Sequence, residues 1–252
     1  PGQMTGRIYR LTPQGKSKAY KMVKNRTASS MLASPNMSER YIAWQQFHKV
    51  GSQAEDTLLK LWKSDDQRIR ARAIHLLARI KGAENKYINK ALNDSNPDIR
   101  ITGIRIARER GLDIIPFLKK MVKDTDSGVR RECAIALRHN NSPQAPALWT
   151  ELAKQHNGED RWYLESLGLA LDKQQDKFFG AWLDVVGSDW DTPGGRDIIW
   201  RSRSSKTSEL LVKILLDKKT KEAEKPRYIR ALDFQSGPEK DAALIKLISA
   251  GS

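Results

Sequence analysis

The sequence has a single cysteine, Cys133, among its 252 residues. One cysteine cannot form a disulfide within the chain, and it cannot supply a multi-cysteine metal site. Cys133 falls at the small-residue position of a pattern that is repeated along the chain. This position predicts a buried core thiol rather than a catalytic nucleophile.

Other signals of catalysis and of membrane insertion are also missing. No apolar run approaches the roughly eighteen residues that a transmembrane helix needs, and the first residues lack a secretory signal pattern. The chain contains no GxSxG motif, no glycine-rich phosphate loop and no CxxCH haem motif. Its four histidines do not have metal-ligand spacing: His48, His75, His139 and His156. The sequence therefore predicts no catalytic residue, cofactor or metal within this chain, and no enzyme activity of its own.

The formal net charge of +15 is distributed unevenly. Residues 1–30 carry seven basic side chains and no acidic one, so the other 222 residues hold only the remaining +8. A basic arm of this kind can bind phosphate groups. The rest of the chain mixes Lys and Glu, so binding of nucleic acid or another polyanion is the less favoured interpretation.

An arginine recurs along the chain at a nearly constant interval. The first four copies are 30 residues apart, and the later ones follow at intervals of 31, 35 and 31 residues. A fixed period in this range is typical of stacked structural units. The copies are Arg40, Arg70, Arg100, Arg130, Arg161, Arg196 and Arg227.

The residues around each arginine predict a helix. An Asp stands six positions before Arg100 and Arg130, and a small residue follows each of the first four arginines by three positions, as Ala43, Ala73, Gly103 and Cys133. Apolar residues between 69 and 80 recur with helical rather than strand periodicity. Each unit therefore reads as a helical hairpin. The predicted first helices are residues 53–62, 85–92, 112–122 and 146–155, and the second helices are 67–80, 97–109, 127–138 and 160–171.

Turn residues agree with these boundaries. The polar turns 64–66, 94–97 and 124–127 supply side-chain oxygens that can cap the second helices, and Pro97 suits a first helical turn. Gly82, Gly111 and Asn140 follow the second helices, where helices commonly stop.

This pattern resembles HEAT repeats, most closely the short bacterial variety found in phycobilisome-lyase-like proteins. The resemblance implies an all-α, right-handed α-solenoid of about six to seven hairpins. It also implies that the turn Asp and the helical Arg form a structural ladder between units, carried by Asp94, Arg100, Asp124 and Arg130. Anion binding by the same arginines is the alternative. Ser34 and Ser64 replace the Asp in the first two copies, and the last three copies lack the motif around their Arg.

The N-terminal segment does not fit the repeat. Residues 6–15 alternate like a strand and resemble the closing strand of a β-propeller in bacterial sugar-dehydrogenase-like proteins. Residues 16–35 read as a basic, Ser-rich linker. We therefore expect two regions, a propeller-like strand and linker over residues 1–35 and a solenoid over residues 36–252.

The C-terminal part gathers tryptophan and arginine. Within residues 195–203 they lie four apart on one predicted helix, and residues 227–235 repeat the pairing of arginine with an aromatic. Packing of large side chains between hairpins is one interpretation, and a recognition surface is the other. The candidate interaction surface comprises Trp190, Arg196, Trp200, Arg201, Arg203, Arg227, Tyr228 and Arg230.

Together the two ends resemble the large putative membrane-bound dehydrogenases of environmental bacteria, in which a propeller precedes HEAT repeats and a c-type cytochrome domain. The resemblance implies a scaffold between those two domains, with haem c and any dehydrogenase cofactor or metal held elsewhere in the longer protein. It further implies a periplasmic or otherwise extracytoplasmic location. Pro1 in place of an initiator methionine fits such a segment.

Two other functions remain open from the sequence. A HEAT-like DNA glycosylase needs an aromatic, a carboxylate and arginines near flipped DNA, which Trp190, Asp191, Trp200, Arg201 and Arg203 could imitate. A bilin lyase subunit is suggested only by the shared short repeat.

Overall fold

The computed structural model describes Gly15 and residues 26–250. Within this part the fold is all-α, without a strand. Residues 6–14 of the expected strand and the first half of the expected linker, residues 16–25, lie outside the described residues. A 3-10 turn spans Gly51–Ala54. The helices are α1 (Ala28–Leu32), α2 (Met37–Val50), α3 (Glu55–Trp62), α4 (Gln67–Leu77), α5 (Glu84–Leu92), α6 (Pro97–Glu109), α7 (Ile115–Met121), α8 (Ser127–Ala136), α9 (Ala145–Ala153), α10 (Arg161–Ala170), α11 (Gln175–Val186), α12 (Pro193–Arg201), α13 (Thr207–Leu216), α14 (Lys225–Leu232) and α15 (Pro238–Ala250).

The helices alternate between two layers. Each even-numbered helix from α2 to α12 contacts the next even-numbered helix, so α2 to α14 form an unbroken row, here called the even row. Odd-numbered helices form the other layer, with α5, α7, α9 and α11 in succession and α15 packed on α13. Seven hairpins followed by α15 therefore make up residues 26–250, which confirms the predicted all-α solenoid.

The solenoid begins earlier than the sequence indicated. Residues 28–32, assigned to the linker, form helix α1, which packs against α2. Thr27 accepts a hydrogen bond from the Ser30 backbone and caps the helix, and Leu32 is buried. The helical array therefore starts by Ala28 rather than at residue 36.

Side-chain caps fix the starts of most even-numbered helices. Asn36, Asp66, Asn96, Asp126, Asp160 and Thr192 each accept a backbone N–H in the first turn of α2 to α12. Helices α3 to α13 of the other layer begin without such a cap. The short polar turn within each of the first six hairpins therefore sets where the second helix starts, as the sequence predicted for the turns at 64–66, 94–97 and 124–127.

One of the three predicted stops directly follows its helix. Gly111 adopts positive φ next to the C-cap of α6, as a left-handed residue that ends a helix does, whereas α4 ends at Leu77 with Ala78 as its C-cap and the positive-φ Gly82 lies in the turn beyond. After α8 the left-handed residue is His139 rather than Asn140. His139 Nε2 lies 2.8 Å from Asp172 Oδ2, and this contact holds the imidazole at the next turn.

Small residues sit where neighbouring helices are closest. Ala43, Ala73 and Cys133 are fully buried. A Cβ atom added to Gly103 would lie 3.0 Å from the Cβ of Ala91 on α5, closer than packed carbons normally approach. Burial also raises the pKa of the Cys133 thiol, so this group is an inert part of the core.

The arginine of α6 connects three chain segments. Arg100 Nε and Nη2 donate to the two carboxylate oxygens of Asp124 at 2.7 and 2.8 Å. Its Nη1 donates to the carbonyls of Asp94 and Ser95 in its own turn, at 2.9 and 3.0 Å. Burial disfavours the Asp124 carboxylate, but hydrogen bonds from Arg100 and from the Asp126 N–H outweigh it and hold the pKa of Asp124 below its usual value. This contact ties α6 to the turn of the following unit.

Similar contacts extend towards the N-terminus. Arg70 pairs with Asp94, and Arg40 donates to the carbonyls of Ser34 and Pro35. The hydroxyl groups of Ser34 and Ser64 accept backbone N–H bonds two residues on, as the Asp carboxylates do in later units. Serine therefore preserves the turn but supplies no negative charge to the preceding arginine.

The series of contacts between a recurring arginine and the acid of the next turn is interrupted at Arg130. Its Nη1 still donates to the carbonyls of Asp124 and Thr125, and its guanidinium lies 5.4 Å from the centre of the Tyr163 ring. The turn position that should hold its acid is Gln155, whose amide donates to the carbonyls of Val122 and Glu151 instead. Arg130 Nε is therefore buried without a hydrogen-bond partner among the described residues.

We expect Asp124→Asn to lower the free energy of unfolding by about 2 kcal/mol at pH 7, because it leaves a buried guanidinium without its anion. The folded-state pKa of Asp124 is lowered. Its contribution should therefore be complete above the unfolded pKa of about 4 and be lost as the pH falls through the folded-state pKa. Urea unfolding at several pH values measures both effects. Exposed Asp98→Asn is the control and should change stability by less than about 0.5 kcal/mol.

We also expect position 155, where the series is interrupted, to tolerate an acidic residue. Gln155→Asp should create a pair with Arg130 that is coupled by about 1 kcal/mol, as measured in a double-mutant cycle with Arg130→Gln. The wild-type Gln155 and Arg130 should show almost no coupling, since they share no hydrogen bond. Equal coupling in both cycles would show that the interruption is not a missing carboxylate.

Candidate interaction surface

The predicted C-terminal surface centres on Trp200, at the end of α12. The guanidinium groups of Arg227 and Arg161 lie 4.4 and 5.7 Å from its ring centre. Trp200 and Trp190 are both partly buried and packed against the core. The indole of Trp200 therefore joins arginines from α10 and α14, on either side of its own helix.

Arg196 is held inside the array. Its guanidinium pairs with Asp191 before α12 and with Asp217 after α13, and Nη1 donates to the Thr220 hydroxyl at 2.8 Å. Its side chain is only 14% exposed. Arg196 thus makes a contact with the next turn like that of Arg100, although the spacing to its acid differs.

Asp197 joins His156 and Arg227. The Asp197 carboxylate is 3.0 Å from His156 Nε2 and also accepts from Arg227 Nη2. Burial opposes its ionisation, yet the bonds from His156 and Arg227 keep the pKa of Asp197 below its usual value. These contacts connect the α9–α10 turn with α12 and α14.

Arg201 lies flat against a glycine on α10. Its Nε donates to Glu165 Oε2 at 2.9 Å, and a Cβ added to Gly168 would lie 2.5 Å from the guanidinium carbon. Arg203 Nη1 donates to the carbonyls of Trp200 and Ser202, and its guanidinium lies 4.8 Å from the Phe234 ring centre. Burial lowers the pKa of Arg203. Both arginines are used in packing between units.

Few of the eight candidate residues reach solvent freely. Tyr228 is only 4% exposed, whereas the Arg230 side chain is 71% exposed and pairs with Asp233 in its own helix. The structure brings Trp200, Arg227 and Tyr228 together, whereas the guanidinium groups of Arg203 and Arg230 lie over the ring of Phe234. The region forms an internal clamp between units, with Arg227 and Arg230 at its edge.

The residues that could imitate a DNA glycosylase site are arranged differently from what that chemistry needs. The Asp191 carboxylate accepts a hydrogen bond from Arg196 at 2.5 Å, and Arg201 is paired with Glu165. A carboxylate that stabilises a cationic sugar must face the substrate. In this structure Oδ1 of Asp191 is paired with Arg196, while the side chain remains 37% exposed.

A second surface, at the start of the even row, was missed by the sequence analysis. Along α2 the rings of Tyr41, Trp44 and His48 stack nearly parallel, with centres 6.4 and 5.0 Å apart. Neighbouring α4 presents Arg72 and His75, and the turn that follows it presents Arg79. Between the two helices is a pocket of about 450 Å³, here called the α2/α4 pocket.

A sequence signal for this pocket exists. Tyr41, Trp44 and His48 follow one helical face, and the three residues found 31 positions later are Arg72, His75 and Arg79. Since this spacing is close to the repeat period, matching positions of adjacent second helices face each other. The pairing could therefore have been read from the repeat itself.

Further along the even row the exposed face remains partly apolar, and two of its arginines are paired. Trp162 is 71% exposed on α10, and Leu169 lies on the same helix. Buried Glu132 pairs with Arg105 and Arg108 of α6 at 2.8 and 3.3 Å. Unlike the α2/α4 pocket, this stretch has acids, Glu132 and Glu165, in its lining beside Arg105 and Arg131.

Within residues 26–250, no helix has the length and hydropathy needed to cross a bilayer, and no cluster of three potential metal ligands occurs.

Comparison with known proteins finds a family match in the central units. Residues 85–168 match the family model of HEAT repeats. The matched residues run from α5 through most of α10, the part in which Arg100 contacts Asp124. The chain is also similar to an engineered protein of known crystal structure, with 17% identity over 82% of this chain and 67% of that chain and a TM-score of 0.40. No curated protein matches the chain.

Gly168→Ala should destabilise the chain by about 1 kcal/mol, because the added methyl group displaces Arg201 from Glu165. Gly180→Ala on α11 is the matched control, since its Cβ would meet only the end of Lys206 at 3.9 Å. It should stabilise by about 0.5–1 kcal/mol through helix propensity. Thermal and urea unfolding measure both. If Gly168→Ala costs as much in an Arg201→Ala background, the clash is not with Arg201.

Proposed function

We propose that this chain is a non-enzymatic HEAT-repeat scaffold that joins other protein modules and fixes their relative geometry. The observation that carries the proposal is the unbroken even row from α2 to α14. In such an array each unit contacts only its neighbours, so rigid unit-to-unit contacts determine the distance between the ends. Charged contacts such as Arg100 with Asp124 and Arg196 with Asp217 supply that rigidity.

The last helix supports attachment of another module. Helix α15 packs on α13 and buries Ala243, but Ile245 and Ile248 are 65% and 71% exposed. Adjacent exposed isoleucines are typical of a surface that a protein partner covers. Helix α15 therefore offers an apolar docking face.

In its specific form, the proposal is that the scaffold links a dehydrogenase-like propeller to a c-type cytochrome domain in an extracytoplasmic redox protein. The order of the strand-like residues 6–15 and the repeat region supports this arrangement. Haem c and the dehydrogenase cofactor or metal would be held by those modules. The contribution of this chain would be the separation and orientation of the two centres.

Single-molecule FRET between dyes at the two ends tests the scaffold. In a Cys133→Ala background, dyes on Lys49→Cys and Lys246→Cys, both at exposed positions, should give one narrow distance distribution. Dyes on Lys119→Cys and Lys177→Cys, within the array, give the reference width. The end-to-end distribution should be about as narrow as the reference and should not change with salt.

A broad or two-peaked end-to-end distribution beside a narrow internal one would show that the array bends between units. Such an array could not fix the geometry of attached modules, and the scaffold proposal would be wrong.

A further inference from the structure

The α2/α4 pocket combines an apolar interior with arginines at its edge. Leu32 is buried at its base, Trp44 is partly buried, and Tyr41 is 59% exposed at its opening. We propose that this pocket binds an acidic peptide segment of a partner protein through one large apolar or aromatic side chain. The inference rests on the proposed scaffold function and names the chemistry of one partner.

The side chains that line the pocket carry positive charge; Asp66 and Glu109 act electrostatically on Arg72 and His75, but neither acid lines the pocket. Arg40, Arg72 and Arg79 line it, whereas no Asp or Glu does, and none of the three forms an ion pair with an acid among residues 26–250. Burial and then the charge of Arg40 lower the pKa of Arg72, while burial lowers the pKa of His75. The histidine is thus neutral near pH 7, and carboxylates of a ligand would relieve the repulsion between the arginines.

The arginines are positioned for a few carboxylates rather than a long polyanion. Arg40 and Arg72 each donate to backbone carbonyls, of Pro35 and Leu32 respectively, and so are held at the rim. Arg79 lies 5.4 Å from the Trp44 ring centre. Beyond the pocket, Arg105 and Arg108 are already paired with Glu132. No continuous cationic track therefore leads from the pocket along the even row, as a nucleic-acid backbone would need.

The size and lining of the pocket favour a side-chain anchor. About 450 Å³ accommodates a Phe, Tyr or Trp side chain beside the stacked rings of Tyr41 and Trp44. Aromatic anchors in a pocket, with charges at the rim, are the usual arrangement of strong contacts in protein interfaces. The basic residues 1–30 are not a suitable occupant, because they carry no acidic side chain.

Fluorescence anisotropy with a labelled short peptide, in which Phe is flanked on both sides by Asp and Glu, tests the proposal. Two matched peptides replace Phe by Ser, or Asp and Glu by Asn and Gln. The acidic Phe peptide should bind with a Kd well below about 1 mM, at least roughly tenfold more tightly than either matched peptide. Raised salt should weaken its binding.

Tyr41→Ala and Arg79→Gln are the test variants, since neither side chain bonds to a backbone group. Each should weaken binding of the acidic Phe peptide by roughly fivefold or more while the Tm stays close to the wild-type value. Trp162→Ala removes an equally exposed ring from α10, and Lys119→Gln removes an equal charge from α7. Neither control should change the affinity.

Absence of binding by the acidic Phe peptide up to about 1 mM would overturn the proposal, as would equal loss of affinity in the control variants. If oligo-dT binds more tightly than the peptide and loses affinity in Arg79→Gln, the pocket serves a polyanion and not a protein partner. Each of these results leaves the end-to-end FRET measurement unaffected, so failure of the pocket and failure of the scaffold are distinguishable.

Discussion

The stacking of the central units depends on a charged contact that Arg70 and Arg100 each make with the turn of the following unit. The guanidinium of Arg100 donates to the carbonyls of its own turn and to the Asp124 carboxylate of the next one, so it fixes both ends of a connection. In a solenoid no distant contact can correct an error in stacking. The geometry of each unit therefore rests on its own interface, and a rigid, charge-assisted contact at that interface determines the orientation of the next unit.

Much of this could be predicted from the sequence because the determinants are local. The interval between Arg70, Arg100 and Arg130, the preceding turn and the small residue three positions later all lie within one helical hairpin. Burial of Gly103 and Cys133 and capping by Asn96 and Asp126 follow from the same pattern. Repetition made the prediction strong, since each unit tested the assignment of the one before it.

The sequence analysis was less informative where contacts between residues distant in the chain determine the structure. Helix α1 has only five residues, too few to show a period, and it is identified by the burial of Leu32 against its neighbours. Arg196 reaches Asp217 and Thr220 at a spacing that differs from that of Arg100 and Asp124. The aromatic and cationic residues near Trp200 read as a surface because their spacing is helical. Only the positions of α10 and α14 in the structure show how many of these residues are packed between units.

Arginine therefore has two distinct uses in this chain, and the groups that each arginine contacts show which use applies. In the interior, Arg100, Arg196 and Arg201 contact carboxylates of other units, and their positive charge is used in stacking. At the α2/α4 pocket no acid lines the surface, so the positive charge there faces solvent beside an aromatic stack. An arginine without an acidic partner leaves its charge unneutralised even where it donates to a carbonyl, as Arg72 does to Leu32, and a stacked ring left exposed forgoes burial. Their coincidence on adjacent helices points to a partner that supplies both the acid and the apolar contact.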